Sequence, residues 1–181
     1  GKQMFQGCTA LVNFIVPDNV TLIGERAFQG CTNLKTLTFP ASYKAETLSF
    51  GLTPFVSCPA FEGYVIEDGA SIVRTEDGTL LAGGGKVLVS LPRDFKGTSY
   101  TVPDGVETIS DYLFYKNTTI TSVTLPASLK KIGTAAFQGC TKLTSIALPD
   151  GFTTLGEHAF DGCSGLKTVT FGQSLTAVPA Y

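Results

Sequence analysis

Apolar positions return along this chain every 23 residues. Phe5-Gln6-Gly7-Cys8 recurs as Phe28-Gln29-Gly30-Cys31, and Phe137-Gln138-Gly139-Cys140 recurs as Phe160-Asp161-Gly162-Cys163, each pair 23 apart. Phe114-Tyr115-Lys116-Asn117 stands 23 before Phe137 and places Asn where the other copies have Cys. Pro17 and Pro40 keep the interval, as do Pro103, Pro126 and Pro149. After each Cys or Asn an apolar residue follows at +3, +6 and +8, and then Pro, as in Leu34, Leu37, Phe39, Pro40 and Leu143, Ile146, Leu148, Pro149. A second apolar pair comes next: Val20/Ile23, Val106/Ile109, Leu129/Ile132, Phe152/Leu155 and Leu175/Val178. A fixed period of this length means stacked units, because one unit cannot bury its apolar face alone.

The +6 and +8 positions alternate with polar residues, which predicts one strand per unit. Such a strand has no partner inside its own unit. It pairs with its equivalent in the next coil, roughly 4.8 Å away, and the inward side chains stack into one core. Pro ends each strand at the sheet margin. The stretch from Gly24 to Gly30 is too short for a free helix and is expected to form one or two helical turns on the opposite side. Gly30, Gly139 and Gly162 are expected to end those turns in the left-handed conformation.

Two irregularities interrupt the period. Phe55-Val56-Ser57-Cys58 lies 27 after Phe28, so a four-residue insertion is expected within 41–51. From Cys58 to Pro103 is 45 residues where Cys31 to Pro40 is 9, leaving about 36 extra. Phe61, Tyr64 and Ile66 hold the frame before this gap, and Tyr100, Val102 and Pro103 hold it after. Between them, alternating runs broken by Asp77-Gly78 and Gly83-Gly84-Gly85 predict a small β-meander, a hairpin insert at about 67–98. The chain is read as one solenoid domain, 1–181, with regular coils at 1–58 and 103–181.

The units Ile23-Gly24-x-x-Ala27-Phe28-x-Gly30-Cys31-x-x-Leu34-x-x-Leu37-x-Phe39-Pro40 and Ile132-Gly133 through Pro149 closely resemble the leucine-rich repeats of the BspA-like family of bacterial surface proteins. The resemblance implies a right-handed, curved repeat solenoid with a parallel sheet on one face. It implies a secreted or cell-surface bacterial protein, in a family whose best-studied members are adhesins for host proteins. The turn Glu76-Asp77-Gly78-Thr79-Leu80 resembles the hairpin units that the family carries. No particular ligand follows from it.

Composition narrows the function further. The 181 residues suit one ordinary domain, and only 15% are charged, against about 25% in a typical soluble domain. A net charge of -2 provides no electrostatic footprint for nucleic acid or an anionic membrane. No apolar run approaches the ~18 residues a membrane span needs, so no membrane insertion by this chain is expected. One His, one Met and no Trp leave little for acid–base or metal chemistry, and no cofactor or metal is expected. The chain opens and stops inside repeats without polar caps, so it is expected to be part of a longer protein whose signal sequence is absent here.

Cys8, Cys31, Cys140 and Cys163 share one register, which Cys58 and Asn117 also occupy. This is expected to be an inward structural ladder that packs against or caps backbone groups. Stacked neighbours would lie within disulfide range by Cα separation, but their parallel Cβ vectors work against bonding, so free thiols are expected over disulfides or a metal site. His158 shares its slot with Arg26, Tyr112 and Ala135, a variability that marks surface rather than catalysis, and no nucleophile or orienting acid accompanies it. Gly83-Gly84-Gly85-Lys86 fails the phosphate-loop pattern, with Leu80 and Val87 at its required Gly and Ser/Thr places. Asn19-Val20-Thr21 and Asn117-Thr118-Thr119 match the glycosylation pattern, and no glycan is expected in a bacterial protein. Asp68, Glu76 and Asp77 lack calcium-loop spacing and are read as turn residues.

The outward strand positions carry short hydroxyl side chains: Thr36 and Thr38, Ser122 and Thr124, Ser145 beside Ala147, Thr168 and Thr170. Laid coil on coil they form an uncharged ladder, which β-propensity alone would favour and which an extended ligand-binding face would also present. The expected function is therefore a non-enzymatic, adhesin-like binding module that recognises a host or bacterial surface protein or glycan through this face or through the insert. The alternative is a spacer that projects another domain. A hydrolase site on the insert, near Asp77, Lys86 or Asp94, would need a convergent polar pocket.

Overall fold

A computed structural model describes residues 3–92 and 95–173. The chain divides into two compact units, Gly1–Gly85 and Lys86–Tyr181. Each is a stack of β-solenoid coils held by parallel pairing.

In the first unit the predicted +6/+8 strands are β1 (Asn13–Ile15), β3 (Thr36–Phe39) and β5 (Gly63–Ile66), and they pair in parallel in that order. A second, shorter parallel pair joins β2 (Leu22–Ile23) to β4 (Ser49–Phe50). The unit closes with an antiparallel hairpin of β6 (Val73–Arg74) and β7 (Leu80–Ala82). In the second unit β9 (Ser99–Thr101), β11 (Ser122–Thr124), β13 (Ser145–Ala147) and β15 (Thr168–Thr170) make one parallel sheet. A further parallel sheet runs β8 (Val87–Ser90), β10 (Thr108–Ile109), β12 (Lys131–Ile132), β14 (Thr154–Leu155). The second member of the second apolar pair (Ile23, Ile109, Ile132, Leu155) thus lies in a short strand of its own, so a coil has two strand-bearing sides rather than one. The pair at Leu175 and Val178 lies outside the described residues.

The helical turns expected on the remaining side are not there. From Gly24 to Cys31 the backbone donors alternate. Those of Ala27, Gln29 and Cys31 close turns onto Gly24, Arg26 and Phe28 of their own coil, at 3.2, 3.0 and 3.0 Å. Those of Arg26, Phe28 and Gly30 reach Leu52, Pro54 and Val56 of the next coil, at 3.1, 3.0 and 2.9 Å. Ala135, Phe137 and Gly139 do the same toward Glu157, Ala159 and Asp161, each at 2.8 Å. A helix would keep every donor within its own coil; here half of them stitch the stack together. Pointing alternate N–H groups outward places the backbone in left-handed conformation twice per coil. Gly30, Gly139 and Gly162 take φ of 74, 75 and 67° as expected, and Arg26, Ala135 and His158 take 51, 52 and 55°.

Phenylalanines form the spine of the core. Phe5, Phe28 and Phe55 stack at 5.3 and 5.7 Å between ring centroids, and Phe114, Phe137 and Phe160 at 4.7 and 5.3 Å, all within 12° of parallel. Each such pair is worth about 0.5–1.5 kcal/mol beyond its burial. The four-residue insertion falls between Tyr43 and Ser49. Tyr43 Oη still meets Val20 O, 23 residues back, at 2.6 Å, whereas Ser49 pairs with Leu22, 27 back.

Within the insert expected over 67–98, β6 and β7 form an antiparallel hairpin. Its register is Val73↔Leu81 and Arg74↔Leu80, around the Thr75–Thr79 turn. Val87–Ser90, expected as a further hairpin strand, also pairs in parallel with a solenoid strand, Val87 with Thr108 and Leu88 with Ile109. Period-2 alternation reports a strand without reporting its partner, so the two arrangements read alike in sequence.

Candidate functional site

In the second unit, pairing sets the outward residues into rows. Ser99, Ser122, Ser145 and Thr168 are directly registered across the four strands. Thr101 is registered with Thr124, and Ala147 with Thr170. All eight side chains are exposed, while Tyr100, Val123 and Ile146 between them are buried. The strand period of two separates these sets, so the hydroxyl face cannot move without turning the core out. Neither row contains an ionisable group. Beside them, Thr121 Oγ1 donates to Thr98 O at 2.8 Å and Thr144 Oγ1 to Thr121 O at 3.2 Å, so this margin is held by side chain to backbone bonds between coils.

The rows predicted from sequence were Ser122, Thr124, Ser145, Thr168 and Thr170; Ser99 and Thr101 extend them by one strand. Their signal is present in the sequence, since Tyr100 and Val102 hold the repeat frame as inward positions and leave 99 and 101 outward. Thr36 and Thr38 stand on the sheet of the first unit, both half-buried, in different company. Thr36 lies between Asn13 and Gly63 and donates to Asn13 Oδ1 at 2.8 Å. Thr38 lies between Ile15 and Val65, which are 66% and 45% exposed. The face there is part apolar, so the hydroxyl ladder is a property of the second unit's sheet.

The cysteine register ties coil to coil. The thiols of Cys31, Cys58, Cys140 and Cys163 donate to the carbonyls of Phe5, Phe28, Phe114 and Phe137, one coil back, at 3.0, 3.0, 3.1 and 3.0 Å. All five thiols are free; Cys31, Cys58 and Cys140 are buried, Cys163 is half-buried and Cys8 is exposed. Burial pushes the Cys31 and Cys58 thiols up from their ordinary pKa. Asn117 instead caps its own coil, its Oδ1 accepting from Thr119 N and Ile120 N, each at 3.0 Å. An amide oxygen accepts where a thiol donates, so the Asn copy turns the same register from an inter-coil link into a local cap.

Other candidates take structural places. His158 is exposed in its left-handed slot. Asp77 caps the β6–β7 turn, its carboxylate accepting from Thr75 Oγ1 and from Thr79 N and Oγ1, the latter two at 3.1 Å. These bonds, Thr75's first, hold its pKa below the usual carboxylate value. Lys86 Nζ stands 3.6 Å from Glu107 Oε1, and Lys130 Nζ 2.8 Å from Glu107 Oε2. Asp94 lies outside the described residues. Among the described residues no group of three His, Cys, Asp or Glu gathers as metal ligands would, and no helix is long and apolar enough to cross a membrane.

Coils of 23 residues, stacked in parallel about a phenylalanine spine, define a repeat-solenoid protein. The chain belongs to the BspA-type leucine-rich repeat family, whose sequence profile matches residues 1–72 and 93–181 in six copies. No curated protein sequence matches it. Three crystal structures share the fold. The pneumococcal vaccine antigen PcpA is 24% identical, with a TM-score of 0.59 over 94% of this chain and 53% of that one. A leucine-rich repeat protein from Eubacterium ventriosum is 19% identical, with a TM-score of 0.54 over 90% of this chain and 60% of that one. A leucine rich cell surface protein from Faecalibacterium prausnitzii is 20% identical, with a TM-score of 0.52 over 96% of this chain and 69% of that one. The chain therefore spans little more than half the length of the first two.

Proposed function

We propose that this chain is a non-enzymatic binding module of a bacterial surface or secreted protein, acting as an adhesin-like domain toward a protein or glycan. The observation that carries the reading is the face of β9, β11, β13 and β15: eight exposed, short, uncharged side chains in register on a rigid sheet. Such a face can meet an extended partner without desolvating a charge, and the partner supplies hydrogen bonds to hydroxyls set in rows by the strand pairing. The names of two structural relatives, a vaccine antigen and a cell surface protein, support a surface location.

The test is a binding screen of the purified chain against immobilised matrix proteins such as fibronectin and against a glycan array. The control combines Thr124→Glu, Ser145→Glu and Thr168→Glu. Saturable binding that this variant loses, with its melting curve unchanged, supports recognition by the face. Binding that survives in the folded variant overturns that placement. Silence from a folded, monodisperse chain favours the spacer role instead.

A further inference from the structure

One coil of the second unit breaks the repeat on its turn side. Where the next coil has Ala135, Gln138 and Gly139, this one has Tyr112, Tyr115 and Lys116. The core does not require the change. Phe114 fills the inward place, fully buried and stacked on Phe137, while Tyr112 and Tyr115 are half-buried and Lys116 is exposed. The backbone does not favour it either. Lys116 takes a φ of 54° at the left-handed position that Gly139 fills in the next coil, where a side chain carries a steric cost and glycine none. Positions that break a local rule without a gain in packing are expected where a chain does its work.

The altered side chains gather. The Tyr115 N to Tyr112 O bond, at 3.1 Å, closes the turn that carries both rings. Their centroids are 5.9 Å apart and their planes cross at 77°. Lys116 Nζ stands 5.2 Å from the Tyr115 centroid. Lys116 N donates to Gln138 O at 2.7 Å and Gly139 N to Asp161 O at 2.8 Å, so Tyr115, Gln138 and Asp161 form one row across three coils. In that row Gln138 Nε2 donates to Asp161 Oδ2 at 2.7 Å, which orients the amide and keeps Gln138 Oε1 and Asp161 Oδ1 as acceptors.

Aromatic faces carry negative charge density and attract the weakly positive C–H groups of a pyranose ring. Beside them stand acceptors for its hydroxyls, Gln138 and Asp161, and a donor, Lys116. The charges are mixed, Lys116 against Asp161 and against Asp111, whose Oδ1 accepts from Thr134 N at 2.8 Å. No net positive charge is offered to an acidic sugar or a phosphate. Tyr115 and Asp161 are two coils apart, roughly 10 Å, which is longer than one pyranose ring.

We propose that Tyr112, Tyr115, Lys116, Gln138 and Asp161 bind a neutral oligosaccharide on the turn side of the second unit. One sugar ring lies against the tyrosines, the flexible Lys116 side chain moves aside to donate to a hydroxyl, and the following ring reaches Gln138 and Asp161. The site is separate from the hydroxyl rows of β9, β11, β13 and β15 and stands whether or not those rows bind.

The experiment titrates the whole chain by calorimetry with neutral hexasaccharides of glucose, of mannose and of galactose, and with an oligogalacturonate as the acidic counterpart. The main variant combines Tyr112→Ala with Tyr115→Gln, the residues that the next coil carries at those places, so the fold is kept and a melting curve verifies it. The expected result is saturable binding of a neutral oligosaccharide that weakens roughly tenfold or more in this variant. Gln138→Ala, on the outward row, provides a second variant and weakens binding as well, while Tyr115→Phe, which keeps the ring, retains it. The chain carrying Thr124→Glu, Ser145→Glu and Thr168→Glu also retains it, which separates this site from the sheet face. Binding that survives in the folded variants, that is lost only in the sheet-face variant, or that favours the oligogalacturonate overturns the proposal, as does a folded wild-type chain that binds none of the neutral sugars.

Discussion

Replacing Gly156 by Ala tests how closely the coils are stacked. A Cβ built there would lie 2.4 Å from Gly133 C, 2.5 Å from Thr134 N and 2.7 Å from Gly133 O. Non-bonded carbon atoms rest about 3.5–4.0 Å apart, so the coil must retreat by about an ångström. The obstacle is backbone, which cannot swing aside as a side chain could. The retreat also stretches the Gly156 N to Ile132 O bond, now 2.8 Å. Overpacking of this kind costs about 1–3 kcal/mol, and a weakened hydrogen bond adds about 1. A net loss of about 3 kcal/mol lowers the melting midpoint of a chain this size by roughly 6–12 °C. Gly151→Ala, in the same coil, is the control. Its Cβ would meet only Ala127 O, at 3.9 Å, and its φ lies outside the left-handed region. That substitution is expected to be neutral or to stabilise by up to about 1 kcal/mol, through the unfolded chain. Thermal unfolding followed by circular dichroism separates the two. If Gly156→Ala melts with wild type, the coil contact does not set the glycine requirement and the reasoning fails.

Phe137→Ala removes the middle ring of the Phe114–Phe137–Phe160 stack and is expected to cost about 3–5 kcal/mol in urea unfolding; a cost near 1 would mean that the stack collapses to fill the gap. Tyr43 is fully buried, and burial pushes its phenol up to about 12, so its contribution is complete below the unfolded value near 10 and is lost as pH rises from about 10 to 12. Stability measured across that window should fall in wild type and fall less in Tyr43→Phe. Asp77 has a lowered pKa, so its contribution is present above the ordinary carboxylate value near 3.9 and is lost as pH falls below it. The protection of the Leu80 and Leu81 amides from hydrogen exchange, corrected for the intrinsic rate, should therefore fall in Asp77→Asn at neutral pH toward the protection of wild type at acid pH, and equal protection at neutral pH would refute the cap.

Much of this protein is written in the spacing of its residues. A 23-residue interval between Phe-x-Gly-Cys anchors forces stacking, because two or three apolar residues per strand bury nothing until a neighbour arrives. The inward/outward alternation then places Ser122, Thr124, Ser145, Thr168 and Thr170 on the surface before any coordinates exist. What spacing does not carry is the choice of hydrogen-bond partner. Gly24 to Cys31 and its equivalents read as short helical turns, yet half of their donors satisfy the next coil, a choice made only when that coil lies within reach. Val87–Ser90 alternates as a hairpin arm would, and only its parallel pairing with Thr108 and Ile109 makes it a solenoid strand. The hydroxyl character of Thr36 and Thr38 is local, while Ile15 and Val65 beside them are brought there by register. Likewise, the repeat makes Cys140 and Cys163 equivalents, but only the stack gives each thiol the carbonyl of the coil before it. Local periodicity determined the coil, and contacts between coils decided what each side of it can do.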